Sequence, residues 1–326
     1  MTLPKVFLTR LIPEVGLTPL QDTVELDAWP DELPPTRQAL LEHIQGKEGL
    51  LCLLTDAIDA DAMDAAGGSL RVISQMAVGF DNIDVPAATA RRIPVGNTPG
   101  VLTEATADYT WALLLGAARR LVEASAYARS GRWRTWGPKL LLGADVSGAV
   151  LGIVGLGRIG RAVAERARGF DMRILYFDRQ RNPEAEASPG LEFVAFEDLL
   201  AQADFVSIHT TYSESTHHLF GDDEFERMKP GALLINTARG PIIDREALYR
   251  ALTLGKIAGA ALDVTDPEPI DPADPLLELD NLIVTPHIAS ASRSARGRMA
   301  RMAAENLLAG LRGERLPNCV NPEVYD

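Results

Sequence analysis

The sequence predicts an α/β protein made of two doubly wound parallel-sheet domains. Short apolar runs recur along the chain with polar, alanine-rich stretches between them, the alternation expected of strand and helix units in a parallel sheet. The runs fall into two series separated by a long helical stretch. The 326 residues suit two domains of about 150 residues each, which bury roughly three quarters of the unfolded surface without a disulfide or metal staple.

The first series is KVFLT (5–9), TVELDAW (23–29), GLLCLLT (49–55), LRVISQMA (70–77) and IPVGNT (93–98). Residues 103–130 follow, opening on Thr-Glu and running on in a helical pattern, and read as one long connecting helix. Residues 131–148 hold glycine, proline and two tryptophans without period and read as a loop. The second series is AVLGIVGLG (149–157), RILYFD (173–178), FVSIHT (205–210), ALLINTA (232–238), AGAALDV (258–264) and NLIVTPH (281–287). Within it, 266–274 (DPEPIDPAD) is a proline-rich acidic loop, and after it 292–311 reads as a last helix.

A formal charge of −13 repels phosphate backbones and anionic membrane surfaces, so neither nucleic acid nor membrane is expected as a partner. The N-terminal MTLPKVFLTR lacks the apolar stretch of an export signal, and no run of about 18 apolar residues occurs. Cys52 and Cys319 have neither zinc-ligand nor redox-motif spacing. These features fit a soluble protein of the reducing cytoplasm that holds no metal.

Gly155, Gly157 and Gly160 form G-x-G-x-x-G directly after an apolar strand and before a helical pattern, with Asp178 at the end of the next strand. The first glycine permits the tight turn, the second lets the backbone approach a pyrophosphate and the third allows close helix–strand packing; the helix N-terminus offers unpaired N–H groups. With no P-loop lysine motif, a dinucleotide is preferred over a nucleoside triphosphate. Asp178 would accept from the ribose hydroxyls, which favours NAD. Arg179 and Arg181 either pair with a 2′-phosphate, leaving NADP possible, or are solvated loop charges.

Of the five histidines, His287 alone stands in polar company at the C-terminal end of a strand, where ligands meet an open α/β sheet. Arg239 in NTARG and Glu268 in DVTDPEP follow the two preceding strands, so all three can converge at one sheet edge. Asp263 in AALDV is flanked by apolar residues and must find donors; these are either a nicotinamide amide or the loop that follows it.

VGFDNIDVPAATARRIPVGNTPG, TEATADYTWALLL, GIVGLGRIG, INTARG, ALDVTDPEP and TPHIAS occur in that order between residues 78 and 290. In this the chain resembles the D-isomer-specific 2-hydroxyacid dehydrogenase family, and most of all its glyoxylate/hydroxypyruvate reductases. The resemblance implies a Rossmann nucleotide domain (103–287) inserted in a discontinuous, flavodoxin-like substrate domain (1–102 and 288–326), with closure about a cleft. It implies that Arg239 grips the substrate carboxylate, that His287 is the general acid/base and that Glu268 orients it. Val78 and Gly79 would donate backbone N–H groups to the carboxylate, and Asn97 would line the cleft. Thr106, Arg158, Ile159, Arg179, Thr210, Thr237, Ala238, Asp263 and Ala289 would join the glycines and Asp178 around the cofactor. The implied reaction is NAD(P)H-dependent reduction of glyoxylate or hydroxypyruvate to the 2-hydroxy acid by a homodimer. Other members oxidise D-3-phosphoglycerate, D-lactate or phosphonate, and related corepressors sense dinucleotides without catalysis. Three positions depart from the pattern: Thr211 replaces a common proline, Ala289 a common glycine, and Leu140 a tryptophan that some reductases present across a dimer interface, with Trp136 nearby.

Overall fold

A computed structural model of the chain describes residues 2–187 and 190–326. The chain divides into two compact units, one running to Leu102 and resuming at Ala291–Asp326, the other comprising Thr103–Ser290.

The first unit holds β1 (Lys5–Leu8), β2 (Glu25–Ala28), β3 (Gly49–Cys52), β4 (Val72–Gln75) and β5 (Val95–Gly96) in a parallel sheet of order β2-β1-β3-β4-β5. Every residue of β3 and β4 is buried, as in a parallel sheet covered on both faces, which explains their unbroken apolar runs. The helix Arg293–Leu311 lies on this sheet. A Cβ on Gly310 would come within 2.5 Å of Val72, and one on Gly49 within 2.9 Å of Leu307. Ser292 caps this helix by accepting from Ala295 N at 3.1 Å. The last segment covers the edge at β5, with Val320 N donating to Val95 O (2.7 Å) and Val95 N to Asn321 Oδ1 (2.8 Å).

The second unit holds β6 (Val150–Val154), β7 (Arg173–Phe177), β8 (Leu191–Phe193), β9 (Phe205–Ile208), β10 (Leu233–Asn236), β11 (Gly259–Leu262) and β12 (Leu282–Val284). All pair in parallel in the order β12-β11-β10-β9-β6-β7-β8. The strand order therefore reverses beside β6, the crevice where ligands meet such sheets. The second series of apolar runs lacks β8, a three-residue edge strand whose partial exposure removes the apolar signal.

The stretch 103–130 is not one helix but two, Thr103–Ala118 and Leu121–Arg129. Ala144 N caps the first by donating to Ala118 O at 2.8 Å, and Arg120 enters the left-handed region at φ 51°. The Arg120 guanidinium then pairs with Glu123 in the first turn of the second helix at 2.7 Å. Trp111 anchors the first helix, donating from Nε1 to Val163 O (3.0 Å) and stacking on Phe170. No helix among the described residues is long and apolar enough to cross a membrane.

Candidate active site

β6 ends in the glycine turn. Gly155 has φ +96°, and a Cβ there would stand 2.6 Å from Thr210 N; one on Gly160 would stand 2.2 Å from Gly155 O. Packing alone therefore requires glycine at both positions. Nothing lies within 4 Å of a Cβ built on Gly157, which precedes the helix Arg158–Ala167 with no side-chain cap. The free N–H groups and open approach suit an anionic pyrophosphate. Arg158 is exposed and Ile159 half-buried at the start of that helix.

Asp178 is fixed from two sides, accepting from Leu156 N at 2.8 Å and from Arg179 N at 2.7 Å. The Arg181 guanidinium turns instead to Glu186, with contacts of 2.8 and 2.6 Å, and holds that carboxyl down at about 2. Arg179 is exposed, and its guanidinium has no partner among the described residues. Along the sheet, Thr210 follows β9 beside Gly155. Thr110 links two further predicted residues, donating to Thr106 O at 2.8 Å and standing 2.9 Å from Thr237 Oγ1.

The segments after β10, β11 and β12, three neighbouring strands, carry Arg239, Glu268 and His287. Asn236 shapes the first, accepting from Ala238 N (2.9 Å) and donating to Arg239 O (2.9 Å). The Arg239 guanidinium donates to Ala238 O at 2.8 Å. Glu268 Oε1 lies 2.6 Å from His287 Nδ1, while Thr265 N donates to Glu268 Oε2 at 3.4 Å. Both side chains keep part of their surface open, 22% for His287 and 34% for Glu268, so the dyad is oriented yet reachable. Asp263 is buried and accepts from Thr285, Ile288 and Ala289.

In the first unit, Val78 and Gly79 follow β4 with both carbonyls occupied. Asn97 Nδ2 donates to Val78 O (2.8 Å) and Gln75 Nε2 to Gly79 O (3.2 Å). Gln75 also donates to Asn82 Oδ1 at 2.7 Å, and Asn82 donates to Leu53 O and Asp56 O. Sequence reasoning passes over Asn236, Thr285, Thr110, Gln75 and Asn82. An Asn closing a strand just before a turn is a usable signal for Asn236; the others act through partners distant in sequence.

Residues 111–289 match the family model described as D-isomer specific 2-hydroxyacid dehydrogenase, NAD binding domain. The chain belongs to this family. A glyoxylate reductase of Korarchaeum cryptofilum is 54% identical over 98% of this chain and 97% of its own length. A Thermus thermophilus protein of known crystal structure superposes with a TM-score of 0.92 at 48% identity, covering 97% of this chain and 99% of that one. An NADPH-dependent glyoxylate/hydroxypyruvate reductase of Sinorhizobium meliloti, solved with NADP and malonate, superposes at 0.85 with 31% identity, covering 98% and 97%. This family member is an NAD(P)-dependent dehydrogenase that catalyses NAD(P)H-dependent reduction of a 2-oxo acid.

Proposed function

We propose that this dehydrogenase reduces glyoxylate, and hydroxypyruvate beside it, to the 2-hydroxy acid. The observation that carries the reading is the 2.6 Å contact of Glu268 with His287 Nδ1, on the sheet edge that also bears Arg239. A nicotinamide, when bound, would supply the hydride for the carbonyl carbon. His287, its Nδ1 turned to Glu268, presents Nε2 to donate the proton to the carbonyl oxygen, an assistance worth typically ~10²–10⁴-fold. Glu268 fixes the orientation of the ring through that contact. Arg239 grips the carboxylate with its planar fork. Gly155, Gly157, Arg158, Ile159 and Gly160 would hold the pyrophosphate, Asp178 and Arg179 would border the adenosine ribose, and Thr106, Thr210, Thr237, Ala238 and Ala289 would line the rest of the cofactor site.

The relatives do not favour phosphoglycerate, lactate or phosphonate oxidation, or a non-catalytic scaffold. A homodimer working in the cytoplasm is part of the proposal. Its support is the exposed apolar side chains between residues 121 and 142 of the second unit, Leu121, Val122, Trp133, Trp136 and Leu142, since exposed apolar surface marks association sites. Leu140 is more covered than Trp136, at 37% against 79% exposure, so Trp136 is the residue free to reach a partner. Steady-state turnover of a panel of 2-oxo acids with NADH and NADPH tests the substrate: highest kcat/KM with glyoxylate or hydroxypyruvate supports it, and preference for a larger oxo acid overturns it.

A further inference from the structure

His287 is one of the non-glycine residues with positive φ, at +55°, a left-handed conformation that residues other than glycine seldom adopt. Its surroundings show what holds it there. Asp263, which exposes 1% of its surface, accepts at Oδ1 from Thr285 Oγ1 (2.7 Å) and Ile288 N (2.9 Å), and at Oδ2 from Ala289 N (2.6 Å). Its own carbonyl accepts from His287 N at 2.9 Å. One aspartate thus grips the chain before, at and after His287. A carboxylate has about four acceptor sites, and the turn fills three of them.

We infer that Asp263 is the positioning residue of the acid/base: its carboxylate brackets residues 285–289, forces His287 into the left-handed conformation and so aims Nδ1 at Glu268. The inference rests on the proposed role of His287. In the absence of the bracket, the backbone of residue 287 relaxes toward negative φ and the ring leaves its Glu268 contact. Asp263 suits the task because every group it meets is a donor, two backbone N–H and one hydroxyl. An asparagine presents an amide NH₂ to one of those donors and cannot satisfy them all. Charged groups on these segments include Asp263 itself, Asp266 and Glu268 after β11 and Arg239 after the neighbouring β10.

The test compares Asp263→Asn, Thr285→Val and Thr285→Ser in the full-length enzyme, reading kcat and KM for 2-oxo acid reduction and NADH affinity by fluorescence titration. A misplacement of about 1 Å costs on the order of 10²-fold. The expected result is a loss of that order in kcat for Asp263→Asn and a smaller loss for Thr285→Val, recovered largely in Thr285→Ser. In both losing variants KM for the 2-oxo acid and NADH affinity hold within about twofold, so that the loss falls on kcat. Loss of NADH affinity in parallel with kcat would assign Asp263 to the cofactor and overturn the inference; so would an unchanged kcat in Asp263→Asn. If Asp263→Asn does not fold, the Thr285 pair decides by the same criteria. His287→Asn separates the two levels: retained turnover there sinks the acid/base reading, whereas its loss beside a normal Asp263→Asn sinks only the bracket.

Discussion

Gly240 lies against the carbonyl of Thr265 so closely that a Cβ on residue 240 would stand 1.9 Å from the Thr265 oxygen. The segment bearing Arg239 and the segment bearing Glu268 are therefore in backbone contact, and Thr265 N in turn donates to the Glu268 carboxylate. The spacing of two functional side chains is set by the missing side chain between them.

Gly240→Ala is accordingly expected to displace Thr265 and loosen Glu268. A shift of about 1 Å predicts a fall in kcat on the order of 10²-fold. Steady-state rates beside a binding titration check this, and wild-type kcat in the variant would contradict it.

Glu268→Gln keeps the shape of the side chain and removes its charge. The carboxylate orients the ring through its 2.6 Å contact with Nδ1, so the variant should lower kcat for reduction while NADH affinity holds; an unchanged kcat would detach Glu268 from the proton transfer.

The locations of these residues are legible in the sequence because each follows an apolar strand run, and parallel sheets gather strand ends at one edge. The bracket around His287 is not legible: Asp263 and the residues it holds are separated by up to 26 positions, and no local pattern marks the pairing. The break at Arg120 is hidden for the same reason, since Ala144, from the following loop, terminates the helix. β8 is missed because an exposed edge strand carries no apolar run.

His209 gives a pH dependence to stability. Burial pushes its imidazole from 6.5 down to about 3, while its Nε2 lies 2.8 Å from Ser207 Oγ. The fold thus holds the neutral form. Its contribution is full above pH 6.5 and drains away as the pH falls from there toward 3, where the unfolded chain binds a proton that the folded one refuses. Melting temperatures between pH 7 and 4 should fall less steeply in His209→Gln than in the wild type; equal slopes would contradict the assignment.

Cofactor choice turns on Asp178, fixed by two backbone donors, and on Arg181, occupied by Glu186. Like charge against a 2′-phosphate predicts NADH favoured by about tenfold in kcat/KM, or ~1.4 kcal/mol. Asp178→Ser should narrow that ratio, and Glu186→Gln, which frees Arg181, should shift it toward NADPH. A wild-type preference for NADPH would show that Arg179 governs the pocket.

The central claim is that His287 carries the proton while the glycine turn carries the cofactor. Measuring turnover and NADH binding together in His287→Asn tests it most directly. The account predicts turnover lower by ~10²–10⁴-fold, the worth of a general acid, with NADH affinity held within about twofold; turnover near the wild-type rate in that variant would contradict it.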